Sequence, residues 1–158
     1  MGVATLFSTV MGLLTGNTGG AVQSLPAANV AGGRQRTFIA TIALAAQASG
    51  SVIAVARLPL LAVITGITAI TDTSLGSATI ALGDTNTANL YAAAQTLTST
   101  NTPTRIGAAA THGQPITTGY DCVSGAVSKA YEDVVLTTAA AALPASGNLT
   151  IIFEYTID

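Results

Sequence analysis

Apolar residues recur along the chain with two different periods, and the change falls near residue 34. Val3, Leu6, Phe7, Val10, Met11 and Leu14 stand at i, i+3, i+4, i+7, i+8 and i+11, with Thr5, Ser8, Thr9 and Gly12 between them. That spacing predicts one apolar face of a helix, ended by Gly16-Asn17, although Thr and Val also suit an extended strand. Residues 16–33 read as an irregular connector punctuated by Gly19-Gly20, Pro26 and Gly32-Gly33. From Arg36 the period drops to two: Phe38, Ala40, Ile42 and Leu44 fall on one face, and Ile39, Thr41 and Ala43 on the other. A second strand, Val52–Leu58, follows an Ala-Ser-Gly turn and is stopped by Pro59. Leu61–Ile70 is a third strand, and Ala78–Leu82 a fourth after the turn Asp72–Gly76. Gly83-Asp84-Thr85-Asn86 turns again. Asn89–Ala94 predicts one helical turn, and Thr96–Thr104 and Thr111–Thr118 connectors or edge strands. Ala126–Thr138 and Leu149–Ile157 are two closing strands.

Seven to eight short strands at intervals of roughly 8–12 residues predict an all-β fold, an antiparallel β-sandwich of jelly-roll type. The organisation expected is an extended or partly helical N-terminal arm (1–33) and a β-sandwich core (34–158), which suits the length of 158 residues. One weak echo runs through it. Ala45–Ile53 and Ala142–Thr150 each carry an Ala-rich Ala-Ser-Gly turn into a strand, as similar turns in a two-sheet sandwich would.

Composition changes the picture of the surface. Ala, Thr, Gly and Ser fill 81 of the 158 positions, and only 8% of residues are charged, against roughly 25% in an ordinary soluble domain. Small hydroxyl and methyl groups must therefore cover most of the surface, and few titratable groups remain for catalysis. A coiled coil and a charge-rich disordered chain are both excluded. The net charge of −2 and five scattered basic residues argue against nucleic acid, which needs a basic patch. Position says more than the total: no charge precedes Arg34, the first three are Arg34, Arg36 and Arg57, and all seven acids come later. Chance among twelve charges would give such a split; so would a subunit whose positive arm docks on a neighbour's negative body.

Targeting and membrane signals are weak. The apolar run Val3–Leu14 has no Lys or Arg before it, unlike a signal peptide, and Leu6 stands where a myristoylation motif wants Ser or Thr. Thr37–Ala56 is uncharged and long enough for a bilayer, but Gln47, Ser49, Gly50 and Ser51 sit at its centre and period two flanks them. Two strands joined by a turn fit better, and no membrane partner is expected.

The search for chemistry finds no motif. Neither G-x-G-x-x-G nor G-x-x-x-x-G-K-[ST] occurs. His112 is the only histidine and Cys122 the only cysteine, which excludes an internal disulfide and a cysteine-based zinc site. The two could form a thiolate pair if the fold joined them, but a loop histidine and a small packed thiol are the commoner roles. Glu132 and Asp133 are adjacent, so on a strand they point to opposite faces and cannot share a substrate. Asp72 and Asp84 could approach calcium, yet turns favour Asp in any case. Tyr91, Tyr120, Tyr131 and Tyr155 are too scattered for a stacking platform. The chain is expected not to be an enzyme and to need no cofactor or metal.

Within residues 34–157 the sequence resembles a group of small virion proteins of tailed double-stranded-DNA phages. The features that carry the likeness are Arg34-x-Arg36, the strand T-I-A-L-A-A-Q-A (Thr41–Ala48), and R-L-P (Arg57–Pro59). D-T-S-L-G-S-A-T-I-A-L-G (Asp72–Gly83) and L-P-A-S-G-N-L (Leu143–Leu149) complete it. Residues 1–33 fall outside that pattern. The resemblance implies a β-sandwich on the capsid surface of a virion, serving as a cement or decoration protein or as another head or tail part. Its expected partners are the major capsid protein and copies of itself, as a trimer or a lattice-imposed array. The expected interface residues are Val3, Leu6, Phe7, Val10, Met11 and Leu14 of the arm, with Arg34 and Arg36. The alternative from a different class is a carbohydrate-binding or adhesive β-sandwich module, suggested by the Thr-rich loops. A hydrolase using His112 and Cys122 is the remaining one.

Overall fold

A computed structural model describes residues 34–84, 86–107, 116, 119–121, 126–127 and 130–157. The arm residues, His112 and Cys122 lie outside them. The period-two runs become strands, numbered here in chain order: β1 (Arg34–Ala43), β2 (Val52–Pro59), β3 (Val63–Thr71), β4 (Thr79–Gly83), β5 (Ala92–Gln95), β6 (Thr104–Ile106), β7 (Tyr120–Asp121), β8 (Ala126–Val127), β9 (Tyr131–Ala139) and β10 (Asn148–Ile157). Two four-stranded antiparallel sheets result, in the orders β1-β10-β3-β6 and β2-β9-β4-β5, with β7-β8 a separate hairpin. With that hairpin set aside, the eight remaining strands have the connectivity of a jelly roll, and the all-β sandwich read from the sequence is what the chain forms.

The structure supplies a pairing that the sequence reading left open, and differs from that reading in two details. β1 and β2 do not pair with each other across their turn: β1 pairs with β10, with Phe38 opposite Phe153, and β2 with β9, with Leu58 opposite Glu132. The turn at 44–51 therefore carries the chain from one sheet to the other. The helical turn expected over Asn89–Ala94 is replaced by β5, where Leu82 lies opposite Ala92 and Ile80 opposite Gln95. Pairing with β4 overrides the helical propensity of an Ala run only three residues long. The strand expected over Ala126–Thr138 is divided into β8 and β9.

Between the sheets lie Leu149, Ile151 and Phe153 of β10, Ile67 and Ala69 of β3, Val134 and Leu136 of β9, Ile80 and Leu82 of β4, and Leu58 of β2, all buried. The alternation of β10 is the simplest case: Leu149, Ile151 and Phe153 point in, and Thr150, Ile152 and Glu154 point out and are half-buried. Burying a side chain of this size contributes roughly 1.5–3 kcal/mol, and with Phe153 the one wholly buried aromatic among the described residues, the core there depends on many aliphatic contacts.

The loops at one end are tied to one another by backbone bonds. The Leu44 N–H donates to Gly147 O at 2.8 Å, Ala46 N–H to Pro144 O at 2.9 Å and Leu143 N–H to Gln47 O at 2.9 Å. The two echoing segments of the sequence thus lie side by side. Leu75 N–H donates to Leu97 O, and Asn101 N–H to Thr71 O, closing the same end. Ala46 (φ 51°) and Ala140 (φ 66°) take left-handed backbone in these turns, a conformation disfavoured for a residue with a Cβ.

Candidate interaction surface

Four of the described carboxylates, those of Glu132, Asp133, Asp84 and Asp72, are held by hydrogen bonds. Glu132 and Asp133 lie on opposite faces of β9, as their adjacency requires. Glu132 is fully buried on the inward face beside Val134. It accepts hydrogen bonds from the Tyr91 hydroxyl and, at 2.9 Å, from the Gly119 N–H. Asp133 faces outward and takes both prongs of Arg57, with Nε at 2.7 Å and Nη2 at 2.9 Å; the guanidinium also lies 4.0 Å over the Tyr131 ring. Asp84 is buried and accepts from the Asn86 N–H at 2.8 Å and the Thr87 N–H at 2.5 Å, an Asx-type turn.

Asp72 is exposed and accepts from the Asn148 N–H at 2.7 Å and Asn148 Nδ2 at 2.9 Å. The Asn148 backbone bond, followed by its side-chain bond, holds the Asp72 carboxyl below its ordinary value of 3.8, because both stabilise the ionised form. Among the described residues no group of three His, Cys, Asp or Glu could hold a metal. No described helix is long and apolar enough to cross a membrane.

What remains is surface, and its least ordinary part is the flank where β1 and β2 form neighbouring sheet edges. Arg34 and Arg36 are exposed at the start of β1, opposite Ile157 and Tyr155. Neither has an ion-pair partner among the described residues. Of the acids whose side chains are described, Glu132, Asp133 and Asp84 are buried, which leaves Asp72 and Glu154 nearer solvent. The arm residues Val3, Leu6, Phe7, Val10, Met11 and Leu14 lie outside the described residues.

The two edges differ in how they are guarded. β2 carries a register shift between Ala54 and Ala56, the charge of Arg57, and Pro59, three devices that discourage pairing with another strand. β1 runs in unbroken register from Arg34 opposite Ile157 to Ala43 opposite Asn148. It has no charge, proline or bulge after Arg36. Its inward Phe38, Ala40 and Ile42 are only half-buried, and its outward Ile39 is 62% exposed. Around Ile39 on the outer face, Thr41 and Thr150 share a hydroxyl bond of 3.2 Å and Ile39 sits opposite Ile152, with Glu154 next along β10, opposite Thr37. Sequence reasoning missed Ile39, because alternation of Ile and Thr looks the same on a covered strand as on an edge.

No family model and no curated protein matches the chain. Two solved structures share its fold. A chain of the cyanophage Pam1 capsid asymmetric unit superposes with a TM-score of 0.59 at 18% identity, over 90% of this chain and 96% of that one. A chain of the capsid of Ralstonia phage GP4 gives 0.60 at 18% identity, over 87% of this chain and 92% of its own length. The jelly roll built here is thus similar, along nearly its whole length, to chains found in two phage capsids.

Proposed function

We propose that the chain is a non-enzymatic structural virion protein of a tailed phage, which binds and stabilises the capsid exterior as a cement or decoration subunit. The observation that carries this reading is the near full-length likeness to chains in two phage capsids. Two features of the molecule support it. Four of its seven carboxylates are taken up by structural hydrogen bonds: an Asx turn, a buried loop tie, an arginine fork and a loop-to-strand bond. Its exposed surface is poor in charge, which lowers the desolvation cost of close contact with a neighbouring subunit. The major capsid protein and further copies of the chain are the partners, and the apolar positions Val3 to Leu14, with Arg34 and Arg36, supply part of the contact.

Co-sedimentation with shells assembled from the major capsid protein tests this. Saturable binding that raises the shell's resistance to heat is expected from the full chain. Deletion of residues 2–33 is expected to abolish incorporation while leaving the sandwich folded by circular dichroism. A full chain that leaves shells untouched and binds an immobilised glycan instead would replace this reading with the adhesive-module one.

A further inference from the structure

From the unguarded edge we infer that β1 pairs with β1 of a second copy, antiparallel about a two-fold axis at Ile39, so that two four-stranded sheets join into one of eight strands. The far side of β1 has no described backbone partner: its ladder is with β10 alone, and only Gln47 Nε2, at Ala43 O, reaches its main chain from elsewhere. Among the described residues this leaves an open row of N–H and C=O groups on a ten-residue strand, a template for another strand.

The sequence of the strand selects both the occupant and the register. A two-fold axis perpendicular to the sheet keeps inner faces with inner faces only if paired positions have the same parity. The full overlap, Arg34 opposite Ala43, is therefore forbidden. The register one step away pairs residues 35–43 with 43–35 of the other copy. It sets Ile39 on Ile39, Thr37 opposite Thr41, and Phe38 opposite Ala40. A bulky ring thus meets a methyl, hydroxyls meet as Thr41 and Thr150 already do within one chain, and the exposed Ile39 is covered by its own copy. Arg36 falls opposite Ile42, so no like charges face each other, and the arginines of the two chains end up at opposite ends of the pair. The alternative register centred on Phe38 would force two rings together and leave Thr37 opposite Ile39. Self-complementarity of this kind is what a closed, isologous interface requires, and β2, with its bulge, arginine and proline, offers none.

The test uses the purified full chain without capsid shells, so loss of pairing and loss of capsid binding are read separately. At about 100 µM the native mass is expected to be twice the 15.6 kDa of one chain, or a larger even multiple. Ile39→Lys, at an exposed position, is expected to abolish the dimer contact in the native Cys122 background and leave a monomer with wild-type circular dichroism, whose unfolding midpoint no longer rises with protein concentration as that of the dimer does. With Cys122 replaced by Ser, Ile39→Cys is expected to form a disulfide-linked dimer, since paired Cα atoms lie about 4.5–5.5 Å apart. Thr68→Cys, two strands further into the same sheet, is not. A monomeric wild type, an oligomer that survives Ile39→Lys, or equal cross-linking at residue 68 would each overturn the inference.

Discussion

The two ends of the sandwich are closed by different means. At the end that gathers the loops 44–51, 72–78, 96–103 and 140–147, loop amides bond to carbonyls of a neighbouring loop in four places, and the Asn101 N–H to Thr71 O at the end of β3. Among the described residues of the opposite end, backbone ties such as Leu60 N–H to Ala130 O and Leu61 N–H to Ile116 O are joined by one buried carboxylate, Glu132, which binds both Tyr91 and Gly119. A tie between main-chain groups survives a side-chain substitution. A tie made by a side chain does not.

The substitution expected to do most damage is therefore Glu132→Ala. It leaves a buried hydroxyl and a buried amide without their acceptor and opens a cavity, at a cost of about 3 kcal/mol or more. Chemical denaturation should show it, with Glu132→Gln losing less because it keeps the shape and one acceptor. Next is Gly83→Ala, where an added Cβ would collide with the Thr87 carbonyl oxygen. The 84–91 loop would have to move off its strand, for a loss of about 2 kcal/mol and faster hydrogen exchange at the Asn86 and Thr87 amides.

At the backbone-closed end the expected effects are smaller. Thr138 donates its hydroxyl to Ala48 O at 2.7 Å and accepts from the Ser51 N–H at 3.0 Å. Thr138→Val should nonetheless cost only about 1 kcal/mol, because Gly50 N–H to Thr138 O and Thr138 N–H to Ser51 O persist. A loss equal to that of Glu132→Ala would remove the distinction between the ends.

The smallest effect expected is a pH dependence at Asp72. Its folded-state carboxyl titrates below 3.8, so its contribution is present above that value and is lost as pH falls through the lower folded one. The difference in thermal midpoint between wild type and Asp72→Asn should be constant from neutral pH to about pH 5 and shrink below 3.8. A difference that grows with acid would contradict the assignment of Asn148 as the partner that favours the ionised form.

Much of this architecture was legible in the residues. Alternation in Phe38–Leu44 and Leu149–Ile157 located two long strands, and the adjacency of Glu132 and Asp133 correctly placed them on opposite faces. What alternation does not carry is partnership. Nothing local in Thr37–Ala56 says that its two strands belong to different sheets, because that depends on β9 and β10 roughly a hundred residues away. The same gap hid Ile39: its exposure follows from β1 being an edge, which is a property of the sheet order. The role of Asp84 as an acceptor in its own turn followed from turn chemistry; the partner of Asp72 did not, since Asn148 lies 76 residues from it. Glu132 as a tie between loops did not, since Tyr91 lies 41 residues from it along the chain.

β9 and β10 each occupy an interior place in one of the two sheets, β9 between β2 and β4 and β10 between β1 and β3. Before they are added, β1 has no neighbour in its own sheet, and β2 and β4 have nothing between them. The contacts that complete the fold are thus among the most distant in sequence, as between Phe38 and Phe153, and loop closure over such spans is slow. The chain is consequently expected to acquire its sandwich only once β10 has been made. Until then the Ile- and Thr-rich β1 lacks the one strand it pairs with among the described residues.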